Sequence, residues 1–152
     1  MVPRMMVDCA TRDLSIDLFG LRLPSPIFMA PIGVTGLMTP DGHGDLAAAR
    51  AAAETRVPLV ASTLSNDPLE DVAQAMGDTP GFFQLYTPKD RDLAASLVSR
   101  AEAAGYKGIV VTLDTWVTGW RPRDLNTGNF PQLRGHVLAN YFSDPVFRRL
   151  LQ

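Results

Sequence analysis

GFFQLYTPKDRDLAASLVSRAEAAGYKGIVVTLD, residues 81–114, reads as strand, helix, strand. Gly81–Tyr86 is short, apolar and aromatic, the composition of a buried strand. Asp90 stands where a helix needs an N-cap, and the helical stretch that follows runs to Gly105, a residue suited to a left-handed stop. GIVVTLD, residues 108–114, is apolar and β-branched again. Two strands joined through a helix lie parallel. In a parallel α/β sheet, ligands bind at the carboxyl ends of the strands. Gln84 and Tyr86 at the end of one strand, and Thr112 and Asp114 at the end of the next, are therefore candidate site residues.

The same unit recurs upstream. PIFMAPIG, residues 26–33, is a short apolar run followed, after a loop, by the Ala-rich helix DLAAARAAAET. VPLVAS, residues 57–62, is the next strand and ends on Ser62. Asp67 then predicts an N-cap, with Pro68 at the first helical position of PLEDVAQAM. Strands beginning near Ile27, Pro58, Gly81 and Gly108 recur close to the roughly 30 residues per unit of a (β/α)₈ barrel. An open doubly wound sheet produces the same alternation, so spacing alone leaves both folds open. DLSIDLFGLRLPSP alternates apolar and polar residues around Gly20, which predicts an antiparallel hairpin ahead of the first parallel strand. Residues 115–142 show no helical or strand period and read as one long loop after the fourth parallel strand. Loops of that length are usually functional or disordered, and Trp116, Trp120, Arg121, Arg123 and Arg134 argue against disorder. A terminal helix is expected from Ser143, with Pro145 in its first turn.

Bulk composition is that of one globular domain: 152 residues, 46% hydrophobic and 20% charged, with a formal charge of -2. No basic run points to nucleic acid or anionic lipid. Cys9 is the single cysteine, so no internal disulfide is possible, and MVPRMMVDCA lacks the apolar stretch of a signal peptide. A reducing cytoplasm fits, and the apolar runs are far shorter than the ~20 residues of a membrane helix.

Two weaker motifs have simpler readings. GHGDLA, residues 42–47, matches G-x-G-x-x-A, but it does not directly follow a strand and Asp45 would oppose the phosphates such a loop attracts. Asp41, His43 and Asp45 resemble a metal cluster, yet they read better as a helix first turn whose acids complement the dipole. His136 has no carboxylate or cysteine at a useful spacing and reads as a loop histidine.

The strand ends carry more. Pro31, Ile32 and Gly33 end the first, Ser62 the second, Gln84 and Tyr86 the third, Thr112 and Asp114 the fourth. Polar groups converging at one end of a parallel sheet can bind the polar edge of a planar cofactor. PIFMAPIG, DLAAARAAAE and GFFQLYTPKDRDLAASLVSRAEAAGYKGIVVTLDTWVTGWRPRD together resemble the FMN-dependent α-hydroxy-acid oxidases, a family that includes glycolate oxidase, lactate oxidase and lactate 2-monooxygenase. GWRPRDLNTGNFPQLRGHVLANYFSDPVF is most similar to the long loop after strand 4 in the lactate 2-monooxygenase branch.

The resemblance implies a TIM (β/α)₈ barrel, of which residues 1–152 make the first half, about four β/α units preceded by the hairpin. It implies FMN as cofactor, with Pro31, Ile32 and Gly33 behind the ring and Ser62, Gln84 and Thr112 hydrogen-bonded to its polar atoms. Tyr86 is then expected to contact the hydroxyl or carboxylate of a small 2-hydroxy acid, Arg121 to bind the carboxylate, and Asp114 to orient a catalytic histidine. Dioxygen is the second substrate, and in the monooxygenase branch lactate becomes acetate, carbon dioxide and water. A homo-oligomer is expected for the complete enzyme.

The family's catalytic histidine and arginine in an S-G-x-H-G-G-R-like stretch, its flavin-contacting lysine and its phosphate loops belong to the second half of the barrel and are missing here, as is a substrate-binding tyrosine expected upstream. Neither His43 nor His136 has the context of the catalytic base. The chain thus reads as a fragment that is inactive alone, binds FMN weakly and self-associates through its open sheet edge; the alternative is a noncatalytic half-barrel that joins a separate second half or itself. Arg56 stands where the family usually has glycine, and a left-handed backbone there would cost about 1 kcal/mol.

Overall fold

The computed structural model describes residues 2–115, 117, 119–130 and 135–152. Trp116 and Arg134, noted above for their place in the long loop, lie outside the described residues. The hairpin is present: β1 (Ile16–Leu18) pairs antiparallel with β2 (Leu21–Leu23) across Phe19 and Gly20, both at positive φ. It is followed by α1 (Gly44–Thr55), β3 (Leu59–Ala61), α2 (Leu69–Met76), β4 (Gly81–Leu85), α3 (Arg91–Ala103) and β5 (Ile109–Val111).

β3, β4 and β5 form a parallel sheet in sequence order. Leu59, Ala61, Phe83 and Leu85 share one buried cluster with Ala49 and Ala52 of α1, Leu69, Val72 and Met76 of α2, and Leu93, Leu97 and Ala101 of α3. Consecutive helices therefore lie on the same face of a sheet whose strand order never reverses. A doubly wound sheet reverses and places helices on both faces; this is the wall of a (β/α)₈ barrel. Alternation sends the intervening residues Val60, Phe82 and Gln84 to the opposite face, where Phe82 meets Phe28 edge-on at 5.7 Å between ring centroids.

The first expected parallel strand, residues 26–33, is reduced to one bridge, Met29 to Leu59. Met29 donates to the Pro58 carbonyl and accepts from Val60 N–H, and Val34 N–H reaches the Leu64 carbonyl. The segment runs beside β3 as expected, but Pro26 and Pro31 have no N–H to continue a ladder.

Local chemistry sets several helix ends, and α2 departs from it. Asp90 accepts from Leu93 N–H at 2.8 Å. Gly105 is left-handed at φ 91, and so is Arg56 at φ 57 after α1. The expected cap of α2 by Asp67 is not made. Asp67 instead bonds His43 Nδ1 through Oδ1 at 2.5 Å, and Leu69 N–H donates to Asn140 Oδ1 at 2.7 Å. A residue seventy-one positions away thus caps the helix.

After β5, the stretch read as one long loop contains α4 (Pro122–Thr127), a 3₁₀ turn at Gly135–Val137 and α5 (Ala139–Phe142). Pro122 at N1 and left-handed Gly128 at the end account for α4, which is too short to show a period. The final helix, α6 (Pro145–Leu150), starts two residues later than expected, because Asp144 is its cap and accepts from Val146 and Phe147 N–H. No helix among the described residues is long and apolar enough to cross a membrane.

Candidate flavin and substrate site

Gln84 sits on β4 on the face away from the helices and is 2% exposed, so its amide must be satisfied inside the protein. Its Oε1 accepts from Thr63 N–H at 3.1 Å and lies 3.4 Å from the Ser62 hydroxyl, while its Nε2 donates to Thr112 Oγ1 at 2.9 Å. A line of hydrogen bonds therefore crosses the carboxyl ends of three adjacent strands, from Ser62 through Gln84 to Thr112. Thr112 Oγ1 accepts in this line, which leaves its own O–H free to donate.

Above this line opens a cleft of about 660 Å³ lined by Gly33, Leu64, Tyr86, Thr112, Asp114 and Arg121, among others. Five of the predicted site residues are thus brought together: Gly33, Tyr86, Thr112, Asp114 and Arg121. Ser62 and Gln84 lie buried beside it, joined to it through Thr112. Pro31 and Ile32 are exposed and do not line the cleft.

Tyr86 follows the last residue of β4 and is half-buried, with its backbone N–H held by Thr63 Oγ1 at 3.1 Å. Asp114 lies past the end of β5 and is exposed. Arg121 is at the N-cap position of α4, its side chain 58% exposed and its Nη1 3.9 Å from Asp124 Oδ2. So long and exposed a pair is weak, and the guanidinium can exchange it for a ligand carboxylate.

The cleft's volume falls in the range of small-molecule sites, ~300–1,000 Å³. It offers the Gly33 backbone, a Thr112 hydroxyl donor anchored by Gln84, and a carboxylate and guanidinium farther out. A Cβ at Gly33 would come within 3.3 Å of Leu64 Cβ and 3.5 Å of Ser62 Oγ, so the glycine lets this segment pack closely against the residues after β3. A cleft of this size with hydrogen-bonding groups along one side fits the polar edge of a flavin ring.

Asp41, His43 and Asp45 are engaged locally and with the loop before α2. Asp41 Oδ1 accepts from His43 N–H, Asp45 is buried in the first turn of α1 and accepts from Asn66 N–H at 3.1 Å, and His43 pairs with Asp67. Burial pushes the Asp45 carboxyl above its usual range, whereas the Asp67 hydrogen bond raises His43. Neither histidine lines the cleft.

The sequence reading missed Thr63, whose N–H and hydroxyl both bond Gln84. Its position beside Ser62 at a strand end was the available signal. It also missed Asn140, for which local sequence gave none.

The chain matches the FMN-dependent dehydrogenase family over residues 1–150. It is 41% identical to an L-lactate oxidase of Lysinibacillus sphaericus over 96% of this chain and 37% of that protein. It is likewise 41% identical to an FMN-dependent alpha-hydroxy acid dehydrogenase of Penicillium citrinum over 97% of this chain and 36% of the relative. A mandelate oxidase crystallised with (S)-2-phenylpropionate superposes with a TM-score of 0.80 at 38% identity, covering 95% of this chain and 42% of the other. The chain spans a little over a third of the length of the curated relatives it matches. With a family match that covers nearly every residue and a barrel wall that superposes on a solved member, the chain belongs to the FMN-dependent α-hydroxy-acid dehydrogenase and oxidase family.

Proposed function

We propose that the cleft is one side of an FMN and substrate site in an enzyme that oxidises small L-2-hydroxy acids, L-lactate first among them, to 2-keto acids. The observation that carries this reading is the gathering of Gly33, Tyr86, Thr112, Asp114 and Arg121 around one cleft at the carboxyl ends of parallel strands. Gly33 backs onto the flavin ring, and Ser62, Gln84 and Thr112 serve its polar edge; Pro31 and Ile32, which do not line the cleft, only lead the chain to Gly33. Bound there, FMN supplies a two-electron acceptor that dioxygen can restore.

The chain's own side chains bind and orient the substrate. The Arg121 guanidinium takes the carboxylate, and its planar donor fork fixes the direction of the acid. The Tyr86 phenol donates to the substrate's carboxylate or hydroxyl oxygen. Asp114 orients a catalytic histidine and stabilises the imidazolium formed when that histidine takes a proton.

We further propose the monooxygenase outcome, supported by the similarity of residues 119–147 to the long loop of that branch. There, lactate and dioxygen give acetate, carbon dioxide and water; an oxidase gives pyruvate and hydrogen peroxide. A cytoplasmic homo-oligomer is the proposed setting. Product analysis on the natural polypeptide that carries residues 1–152, supplied with FMN, L-lactate and dioxygen, tests both levels. Acetate and carbon dioxide are expected. Pyruvate with peroxide would overturn the monooxygenase assignment, and no flavin-dependent lactate consumption would overturn the oxidation reading itself. The 152-residue chain alone is expected to be inactive.

A further inference from the structure

Two buried residues outside the cleft hold the strand ends beside it. Asn140 is fully buried at the start of α5 and spends its whole amide on distant backbone. Its Nδ2 donates to the Ser62 carbonyl at 3.2 Å and to the Thr63 carbonyl at 3.0 Å, while its Oδ1 accepts from Leu69 N–H. The neighbouring Ala139 N–H bonds the Ser65 carbonyl at 3.1 Å, so α5 grips the loop after β3 at several points.

Thr63, also fully buried, passes this grip to β4. Its N–H donates to Gln84 Oε1, its hydroxyl donates to the Gln84 carbonyl, and Tyr86 N–H donates to its Oγ1. A primary amide has a donor end and an acceptor end, which its shape alone barely distinguishes. Thr63 N–H can only donate, so it holds the oxygen of Gln84 inward and turns the NH₂ toward Thr112. Thr112 must then accept from Gln84, and its hydroxyl proton is left for the cleft.

We propose that Asn140 and Thr63 are positioning residues for the flavin site: Asn140 fixes the Ser62–Thr63 backbone, and Thr63 sets the Gln84 amide so that the site shows donors to acceptor atoms on the ring edge. This rests on the FMN reading above.

The test uses the natural polypeptide that carries residues 1–152. Asn140→Asp keeps an acceptor for Leu69 N–H but replaces the donor facing two carbonyls by a carboxylate oxygen. Thr63→Val removes the hydroxyl at nearly constant shape, and Thr63→Ser restores it. Asp90→Ala, which removes the cap of α3, is the control for a purely structural loss. FMN affinity by fluorescence titration, the absorption spectrum of bound flavin, and hydrogen exchange at the Thr63 and Tyr86 amides without FMN are measured for each.

Asn140→Asp and Thr63→Val are expected to weaken FMN about tenfold and shift the flavin spectrum. Exchange should speed at the Thr63 amide in the first variant and at the Tyr86 amide in the second. Thr63→Ser should restore affinity and spectrum, and Asp90→Ala should leave both unchanged. Wild-type affinity and spectrum in either Asn140→Asp or Thr63→Val would overturn the inference, as would a change no larger than that of Asp90→Ala. Should Asn140→Asp not fold, the Thr63→Val and Thr63→Ser pair decides by the same readouts. If the wild-type protein takes up no FMN, the flavin reading fails and the inference falls with it, whatever the amides show.

Discussion

Arg100→Met removes the charge that ties the end of the chain to the helix layer. Arg100 Nε and Nη2 grip Glu70 at 2.7 and 2.9 Å, Nη1 meets Asp144 Oδ2 at 3.1 Å and the Asn140 carbonyl at 2.7 Å, and Nη2 donates to Ser143 Oγ. The two halves of this network differ in worth. The Glu70 side chain is 44% exposed, so its pair contributes at most ~1 kcal/mol. Asp144 is fully buried, and removing the partner of a buried charge costs about 3–5 kcal/mol. Asp144 would still keep the Ser96 hydroxyl at 2.8 Å and the N–H groups of Val146 and Phe147. That places the cost at the lower end, ~3 kcal/mol, or roughly 6–12 °C in Tm for a chain of this size. Methionine preserves most of the apolar stem.

The cost carries a pH signature. Burial pushes the Asp144 carboxyl upward, but hydrogen bonds from Ser96 and Arg100 prevail and hold it below its ordinary 3.8. A depressed carboxyl contributes stability above its unfolded value and loses it as pH falls through the folded one. Without Arg100, Asp144 protonates more readily, so the gap between wild type and variant should be widest near neutrality and narrow below about pH 4. Urea denaturation followed by circular dichroism, with Glu70→Gln as reference, measures this. An Arg100→Met cost of ~1 kcal/mol or less, equal to that of Glu70→Gln and flat with pH, would refute the argument.

Arg56→Gly should stabilise the fold by about 0.5–1 kcal/mol, since it relieves ~1–2 kcal/mol of left-handed strain and returns part as chain entropy; denaturant midpoints check the sign. Gly44→Ala should do the reverse, because the new Cβ would overlap the Thr35 backbone, and a loss of ~2 kcal/mol or more is expected in the same assay. The His43 and Asp67 pair raises the histidine, so its contribution is fully present below pH 6.5 and lost as pH rises through the raised folded value. His43→Gln should abolish that part of the pH–stability profile. In the natural polypeptide that carries residues 1–152, Asp114→Asn should slow flavin reduction by roughly 10²-fold or more, and Tyr86→Phe should weaken substrate binding with FMN retained; stopped-flow traces unchanged in both would remove the proposed roles.

Much of this molecule could be read from local chemistry. The alternation of strand and helix, the hairpin about Gly20, the Asp90 cap and the Gly105 stop each depend on a few adjacent residues. So did the polar strand ends, because period-two alternation and a parallel sheet together deliver Ser62, Gln84 and Thr112 to one place. What escaped depends on distant partners. Asp67 has the right type and position for a cap, yet His43 takes its carboxylate and Asn140 takes the helix. Prolines 26 and 31 left the first strand with a single bridge, and α4 and α5 are too short for periodicity to register. Spacing alone did not separate the barrel from an open sheet; the family resemblance did, and the helices on one face of the sheet bear it out.

The most direct measurement is a crystal structure of the natural polypeptide with FMN bound. The ring should lie in the cleft against the Gly33 backbone, with Gln84 Nε2 and Thr112 Oγ1 within ~3.2 Å of polar atoms on its edge, and with Tyr86 and Arg121 facing the substrate side. A flavin held elsewhere, or one whose polar edge points away from Ser62, Gln84 and Thr112, would contradict the assignment.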